Sequence, residues 1–335
     1  MSRPHRVGTS SFHFLRLGRA LAVGVVLAAG ILSSSAQTSE NAFRIYRLGK
    51  TATFQRGCFA PCLCPVMETG GVEGTFVLTP TGAAGSFRTY SVTEVNWSVT
   101  LPSGPIRVTG GGSYQIGGYP VQEQLSLDLK GGDDPVQHFD SGLVAGGGDF
   151  PRIAVTISIH GQYCFDTAFG VDASPVPTDE VHSYKLLPQS TYQRSCGGPC
   201  ACAPGPVLPI RGSFSLVDLD PTPLFNQFVV TMVKWQVAPD PSSTSASGLP
   251  VSGDGFYRVG GEFAVQQQMS LDLKVGTEPS ALYDSGLVPG GGAFPRIDVK
   301  IENGAGSCVT TVIDLHAKPA LSGRMASPSL ENSSF

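Results

Sequence analysis

The stretch LSLDLK at Leu125–Lys130 alternates leucine with polar residues, and it returns as MSLDLK at Met269–Lys274. A second stretch, Ile153–Ile159, alternates in the same way, and its copy begins at Ile297. A period of two places the apolar side chains on one face of a strand and the polar ones on the other. The two stretches therefore predict half-buried antiparallel strands, each present twice in the chain.

The sequence around these strands is also repeated. The cysteine motif FQRGCFAPCLC at Phe54–Cys64 returns as YQRSCGGPCAC at Tyr192–Cys202, and the segment Asp140–Ile153 returns as Asp284–Ile297. The copies lie about 140 residues apart, which is the size of a domain and far longer than a solenoid repeat. The mature chain is therefore one unit written twice.

We predict two homologous all-β units at residues 41–177 and 178–320, followed by a disordered tail at 321–335. Only 14% of the residues are charged, which argues against long helices and coiled coils, and the 42 glycines and 26 prolines supply turns. About seven to nine short strands per unit, separated by such turns, predict a β-sandwich-like domain or a small barrel. We favour the sandwich, although periodicity alone does not separate the two architectures.

Each unit contains a slip in this alternation. Val92 is out of phase with Val95 and Trp97, and in the copy Val230 is out of phase with Val233. A β-bulge or a sharp bend accounts for a shift of one residue. The tryptophan of each copy lies within the apolar alternation, which indicates a core side chain rather than a platform for stacking a sugar.

The first 36 residues have the features of a secretory signal peptide. Four arginines and no acidic residue form a positive start, the apolar run Ala20–Leu32 follows, and small residues end the segment at Ala36. We predict a Sec-type signal peptide at residues 1–36, cleavage after Ala36 and a secreted, extracytoplasmic protein. An uncleaved membrane anchor is the alternative, but the apolar run is short for a span.

The charge balance limits the partners. The chain has 22 basic and 26 acidic residues, so its net charge is −4, and loss of the four signal-peptide arginines changes it to −8. Such a chain lacks the basic excess that nucleic-acid binding requires. After signal removal no apolar run is long enough to span a bilayer. We therefore expect neither a nucleic-acid partner nor a membrane span.

Eight cysteines fall at matching places in the two units. They are Cys58, Cys62, Cys64, Cys164, Cys196, Cys200, Cys202 and Cys308. An even count at repeated spacings in an exported protein predicts disulfides. We expect the isolated cysteine of each unit to pair with one member of its cluster, closing a loop of about 100 residues; the exact pairing stays open. The alternative is a thiolate site for zinc or Cu(I), but no histidine recurs near the clusters. We predict no metal and no cofactor.

Several polar residues recur in both units. They are the pairs Arg56/Arg194, Gln122/Gln266, Gln124/Gln268, Asp128/Asp272, Lys130/Lys274, Asp140/Asp284 and Arg152/Arg296. A ligand or ion site could use Asp128, Asp140 and Arg152, with their copies Asp272, Asp284 and Arg296, as an acid–base pair or as Ca²⁺ ligands. The favoured interpretation is structural: an Asp–Arg pair and carboxylates that cap turns.

No catalytic residue is predicted. The sequence Asp140-Ser141-Gly142 lacks the nucleophile-elbow pattern, and no histidine recurs in both units. A site confined to the first unit could use His138, Asp140, Asp149 and His160. We expect a non-enzymatic binding or structural protein whose unknown ligand is a carbohydrate, a protein or an envelope component. Duplication would give it two similar sites. The alternatives are a secreted hydrolase acting on glycans and a metal-binding protein that uses the cysteine clusters.

Overall fold

A computed structural model of the protein describes residues 42–64, 67–146, 149–196, 200, 204–241, 247–290, 294–304 and 308–320. The predicted signal peptide and the predicted tail lie outside these ranges. The described residues form twenty β-strands, one short 3₁₀ helix and no α-helix, which confirms the all-β prediction. None of them belongs to a helix with the length and apolar character needed to cross a membrane.

Ten strands come from each repeat. In the first repeat they are β1 (Arg44–Leu48), β2 (Thr53–Cys58), β3 (Met67–Ala84), β4 (Phe87–Leu101), β5 (Gly104–Gly117), β6 (Gln122–Gly131), β7 (Gln137–Asp140), β8 (Val144–Ala145), β9 (Ile153–Ser158) and β10 (Phe165–Pro175). After the 3₁₀ helix at Thr178–Glu180, the second repeat supplies β11 (Val181–Leu186), β12 (Thr191–Cys196), β13 (Val207–Asp218), β14 (Phe225–Val237), β15 (Leu249–Gly260), β16 (Gln266–Val275), β17 (Ala281–Asp284), β18 (Val288–Pro289), β19 (Ile297–Asn303) and β20 (Val309–Pro319).

Each repeat forms one sheet that closes on itself. In the first repeat the order is β10-β2-β3-β4-β5-β6-β7-β9, and β9 pairs again with β10. The second sheet closes in the same way through β12, β13, β14, β15, β16, β17, β19 and β20. All pairings that form these two rings are antiparallel. This pairing corresponds to the small barrel, the alternative architecture, rather than to the favoured sandwich, because the strands of each repeat form one closed sheet and not two separate sheets.

The core lies inside each closed sheet. Leu125, Leu127 and Leu129 on β6 are at most 2% exposed, as their alternation with polar residues predicts. Trp97 and Trp235 are 0% and 3% exposed, which confirms that the tryptophans are core side chains.

The predicted slips in alternation are β-bulges. The β4–β5 ladder shifts register between Val92 and Val95, and the β14–β15 ladder shifts between Val230 and Trp235. Glu94 and its counterpart Met232 take left-handed backbone angles at these points, with φ of 51° and 55°. The bulges change the direction in which the following side chains point, so each tryptophan enters the core.

Three disulfides lie within the described residues. Cys58 pairs with Cys64, and Cys62 pairs with Cys164 at a Cα–Cα distance of 4.9 Å. Cys200 pairs with Cys308, at the positions that correspond to Cys62 and Cys164. The Cys62–Cys164 and Cys200–Cys308 bridges join residues that are 102 and 108 positions apart, which confirms the predicted long-range pairing. The side chain of Cys196 and all of Cys202 lie outside the described residues. We call the end of each closed sheet that carries these bridges the cysteine end.

The two repeats contact each other through apolar and polar groups. Ile45 and Val77 of the first repeat pack with Val217, Leu219 and Val229 of the second.

Polar contacts between the repeats centre on the first bulge. The carboxylate of Glu94 accepts hydrogen bonds from the Thr231 hydroxyl at 2.6 Å and from the Met232 N–H at 2.9 Å. The Asn96 amide donates to the carbonyl oxygen of Gly255 at 2.7 Å. Because Asn96 is fully buried, this bond satisfies a group that water cannot reach.

Candidate functional site

Asp140 lies at the end of β7 and caps the turn that follows. Its carboxylate accepts hydrogen bonds from the Gln124 amide at 3.0 Å and from the N–H of Gly142, two residues further on. Partial burial raises the pKa of Asp140, but these hydrogen bonds outweigh burial and hold the pKa below its usual value. Asp284 makes the same contact with Gln268 at 3.1 Å in the second repeat. In both copies the aspartate stabilises a turn.

Arg152 forms an ion pair within the fold. Its guanidinium donates to both carboxylate oxygens of Asp172, at 2.7 and 3.0 Å. Hydrogen bonding from Arg152 holds the pKa of Asp172 below its usual value. In the second repeat Arg296 pairs with Asp298 at 2.7 Å, while His316 replaces Asp172. The aspartate that pairs with the arginine is therefore on β10 in the first repeat and on β19 in the second, where Asp298 lies directly opposite His316. Each arginine has an aspartate partner.

Asp128 meets a histidine on the outer face of the first sheet. His138 Nδ1 lies 2.8 Å from the Asp128 carboxylate, and Nε2 lies 3.4 Å from the Ser126 hydroxyl and 4.0 Å from Asp140. Asp128 and His138 are each more than 60% exposed. These groups are direct cross-strand neighbours on β6 and β7. The arrangement is a solvated set of polar pairs, so its charges are screened by water.

The second repeat does not preserve this set. Leu282 occupies the position of His138, and Asp272 instead accepts a hydrogen bond from Ser280 at 2.7 Å. The structure therefore brings Asp128 and Asp140 together around His138, whereas Arg152 and Arg296 engage other aspartates.

The remaining candidates of the first repeat lie apart from His138. His160 lies in the β9–β10 connection, 3.4 Å from the buried carboxylate of Asp166, which also accepts its backbone N–H. The Asp149 carbonyl accepts the N–H of Arg152 at 2.9 Å. Among the described residues no group of three His, Cys, Asp or Glu side chains could hold a metal ion.

A cavity of about 30 Å³ opens at the cysteine end of the first repeat. Its apolar walls are formed by Phe54, Val99, Ile106, Val108, Leu129, Phe139 and Phe169. Its polar lining consists of Arg56, Asp134, Gln137 and Thr167. The open end of a closed sheet is a common place for a ligand site, and an apolar floor with a few polar groups is the usual composition. The free space holds one or two water molecules or the tip of an aliphatic chain.

The rim of this cavity is an ion pair. Arg56 Nη2 lies 3.1 Å from Asp134, and the Arg56 guanidinium also lies 5.7 Å from the centroid of the Phe54 ring. Phe165 is the first residue of β10, where it pairs with Cys58, and it is 59% exposed. It lies two residues before Thr167, so both residues occupy the same face of the strand at the cysteine end.

The repeated polar residues of the sequence identify only one residue of this cavity, Arg56. Arg56 recurs as Arg194, which again pairs with an acid, Glu278, at 2.6 Å. Gly131 and Thr167 belong to none of the motifs of the sequence analysis. The signal that identifies the cavity is a difference between the copies at core positions, because Gly131 corresponds to the buried Val275.

A second opening lies between the two repeats. This cleft of about 610 Å³ is lined by Arg47, Lys50, Glu73 and several acids of the second repeat. Burial and the nearby charge of Asp220 raise the pKa of Glu73. Arg47 pairs with Glu180 across the cleft at 2.6 Å.

These features define an all-β protein made of two similar closed sheets, braced by disulfides, with one small cavity at the cysteine end of the first. Comparison with protein-family models, with curated proteins and with solved structures finds no match to this chain.

Proposed function

We propose that this chain is a secreted or cell-surface binding protein without enzymatic activity. The carrying observation is the cavity at the cysteine end of the first repeat, with apolar walls and a polar rim. The disulfides fit an extracellular protein. The amino-terminal segment supports export by the Sec route with cleavage after Ala36, so the mature chain would begin at Gln37.

The recurring polar residues support binding over catalysis. Asp140 and Asp284 cap turns, and Arg152 and Arg296 neutralise neighbouring aspartates. These contacts use the groups that an acid–base mechanism would need. A ligand with a small apolar group beside polar atoms suits the cavity, and a carbohydrate or an envelope component with such a group meets this requirement.

The test uses the mature chain from residue 37, exported with its disulfides formed. We expect a glycan array and an extract of envelope components to yield a ligand that binds with unchanged covalent structure. Amino-terminal sequencing of the exported protein should begin at Gln37. Release of a cleaved product from any bound glycan would overturn the proposed absence of enzymatic activity, and failure of every candidate class to bind would overturn the binding function.

The cleft between the repeats favours a second candidate, a secreted hydrolase acting on glycans. Burial raises the pKa of Glu73, and Asp220 lines the same cleft. A carboxyl group with a raised pKa beside a second carboxyl group is the usual arrangement for glycoside hydrolysis. Glycan turnover that is lost in Glu73→Gln but kept in Glu68→Gln, an exposed residue on the same strand, would establish this function. Equal turnover by both variants would exclude a role for Glu73.

A further inference from the structure

We propose that the first repeat alone carries the ligand site, and that the ligand supplies a methyl or isopropyl group next to a hydroxyl. This inference rests on the proposed binding function. The second repeat supports this inference, because its own side chains supply an isopropyl group and hydroxyl groups at the position that corresponds to the cavity.

The apolar part of the ligand corresponds to a valine. Val275 is 3% exposed inside the second sheet, and Gly131 occupies the same position in the first. A Cβ at Gly131 would meet only methyl groups of Ile106 and Val108, each at 3.9 Å. The first repeat therefore leaves open the space that an isopropyl side chain fills in the second.

The polar part of the ligand corresponds to tyrosine hydroxyls. In the second repeat the Thr311 hydroxyl interacts with those of Tyr192 and Tyr283, which opposes the rise that burial causes in the pKa of both tyrosines. In the first repeat these tyrosines are Phe54 and Phe139.

Two oxygen atoms are thereby missing around the equivalent threonine. Thr167 lines the cavity and is 8% exposed, and no partner for its hydroxyl is found among the residues that the structure describes. This hydroxyl is not one of the buried side-chain atoms that lack a partner, so water reaches it through the opening, and a ligand oxygen placed here can take over the hydrogen bond to that water.

The rim shows how such a ligand enters. Arg56 and Asp134 are 35% and 53% exposed, so solvent screens their ion pair and separating them costs little. Phe165 is exposed at the same end of the sheet, two residues before Thr167 on β10, and is available to the part of the ligand that stays outside. Branched aliphatic alcohols and 6-deoxy sugars both combine a methyl-bearing end with an adjacent hydroxyl.

The experiment titrates the mature, oxidised chain with isobutanol, L-fucose and L-galactose. It follows the methyl resonances of Val108 and Leu129 in the first repeat and of Leu273, the copy of Leu129, in the second. L-Galactose is the matched control, because it differs from L-fucose by one hydroxyl on the group that would enter the cavity. We expect saturable shifts with isobutanol if the natural source is aliphatic, or with L-fucose but not L-galactose if it is a sugar.

Substitutions toward the second repeat separate the two parts. Gly131→Val fills the cavity and should weaken binding by about tenfold or more, while circular dichroism and thermal unfolding remain those of a folded protein. Thr167→Val should weaken binding by about twofold to tenfold, the loss of one hydrogen bond. Thr311→Val is the control in the second repeat and should leave binding unchanged.

Equal affinity of the wild-type chain and Gly131→Val for a bound probe would overturn the inference, and so would shifts confined to the second repeat. Absence of binding by isobutanol and L-fucose would also overturn it. If a glycan or envelope component still binds in that case, and Gly131→Val does not affect it, the binding function stands while the site assignment fails.

Discussion

Asp254 on β15 is enclosed between the two repeats, where Arg107 of the first repeat reaches it. Arg107 Nη2 lies 2.5 Å from the Asp254 carboxylate and 2.9 Å from its backbone carbonyl oxygen. Burial raises the pKa of Asp254 to about 6, because Arg107 offsets only part of the cost and the charges of Glu94 and Asp272 add to it. A carboxylate between the repeats should therefore make stability depend on pH.

The sign of this dependence follows from the two pKa values. Asp254 titrates near 3.8 when unfolded and near 6 when folded, so the folded chain binds the proton more tightly. Its contribution to stability is greatest below the unfolded pKa, falls as the pH rises between these values and is lost above about 6. A shift of about two units corresponds to about 3 kcal/mol.

The assay is chemical unfolding followed by the fluorescence of the buried tryptophans, at several pH values between 4 and 8. Asp254→Asn removes the titrating group while keeping an oxygen for Arg107, and Asp133→Asn changes the charge equally at an exposed turn. The free energy of unfolding of the wild type, minus that of Asp254→Asn, should rise by about 2 kcal/mol between pH 8 and pH 4, most of the full effect. The reasoning is refuted if the difference between the wild type and Asp254→Asn stays constant across this range. It is also refuted if the difference between the wild type and Asp133→Asn shows the same rise, because Asp254 is present in both of those chains.

Three further changes test other contacts. Replacing Cys62 and Cys164 by serine should lower the free energy of unfolding by about 4–5 kcal/mol, because a loop of about 100 residues is no longer closed; an unchanged denaturation midpoint would contradict this. Glu94→Ala should cost about 2 kcal/mol, since two groups of the second repeat lose a charged acceptor. Gly74→Ala should destabilise the fold strongly in thermal unfolding, because φ is +135° and a Cβ would overlap the neighbouring strand, whereas Gly71→Ala, with open space, should not.

Local patterns predicted the strands well. The leucines of β6 are buried because alternation with polar residues constrains one face of a strand wherever that face meets the core. The bulges were predictable for the same reason, since Val92 and Trp97 can both be buried only if the register shifts between them. The long disulfide loop followed from the isolated position of Cys164.

The closure of each sheet could not be predicted from the sequence pattern. It depends on β10 pairing with β2, where Phe169 lies opposite Phe54, and no local periodicity specifies a partner at that distance. The cavity was missed for another reason. Repeated residues such as Asp140 identify what both folds require, whereas the cavity arises at Gly131, where the copies differ.

The contact between the two bulges has a consequence for how this interface evolved. Glu94 and Met232 occupy equivalent positions in the two repeats, yet they meet each other. Two separate identical units joined at this point would set one glutamate against another, and like charges at short range repel. On a single chain the two sides are encoded separately, so one side keeps the acceptor while the other offers only a backbone N–H and a neighbouring hydroxyl. Fusion of the two units in one chain thus allows an asymmetric set of hydrogen bonds at the interface, which two identical units related by symmetry could not form.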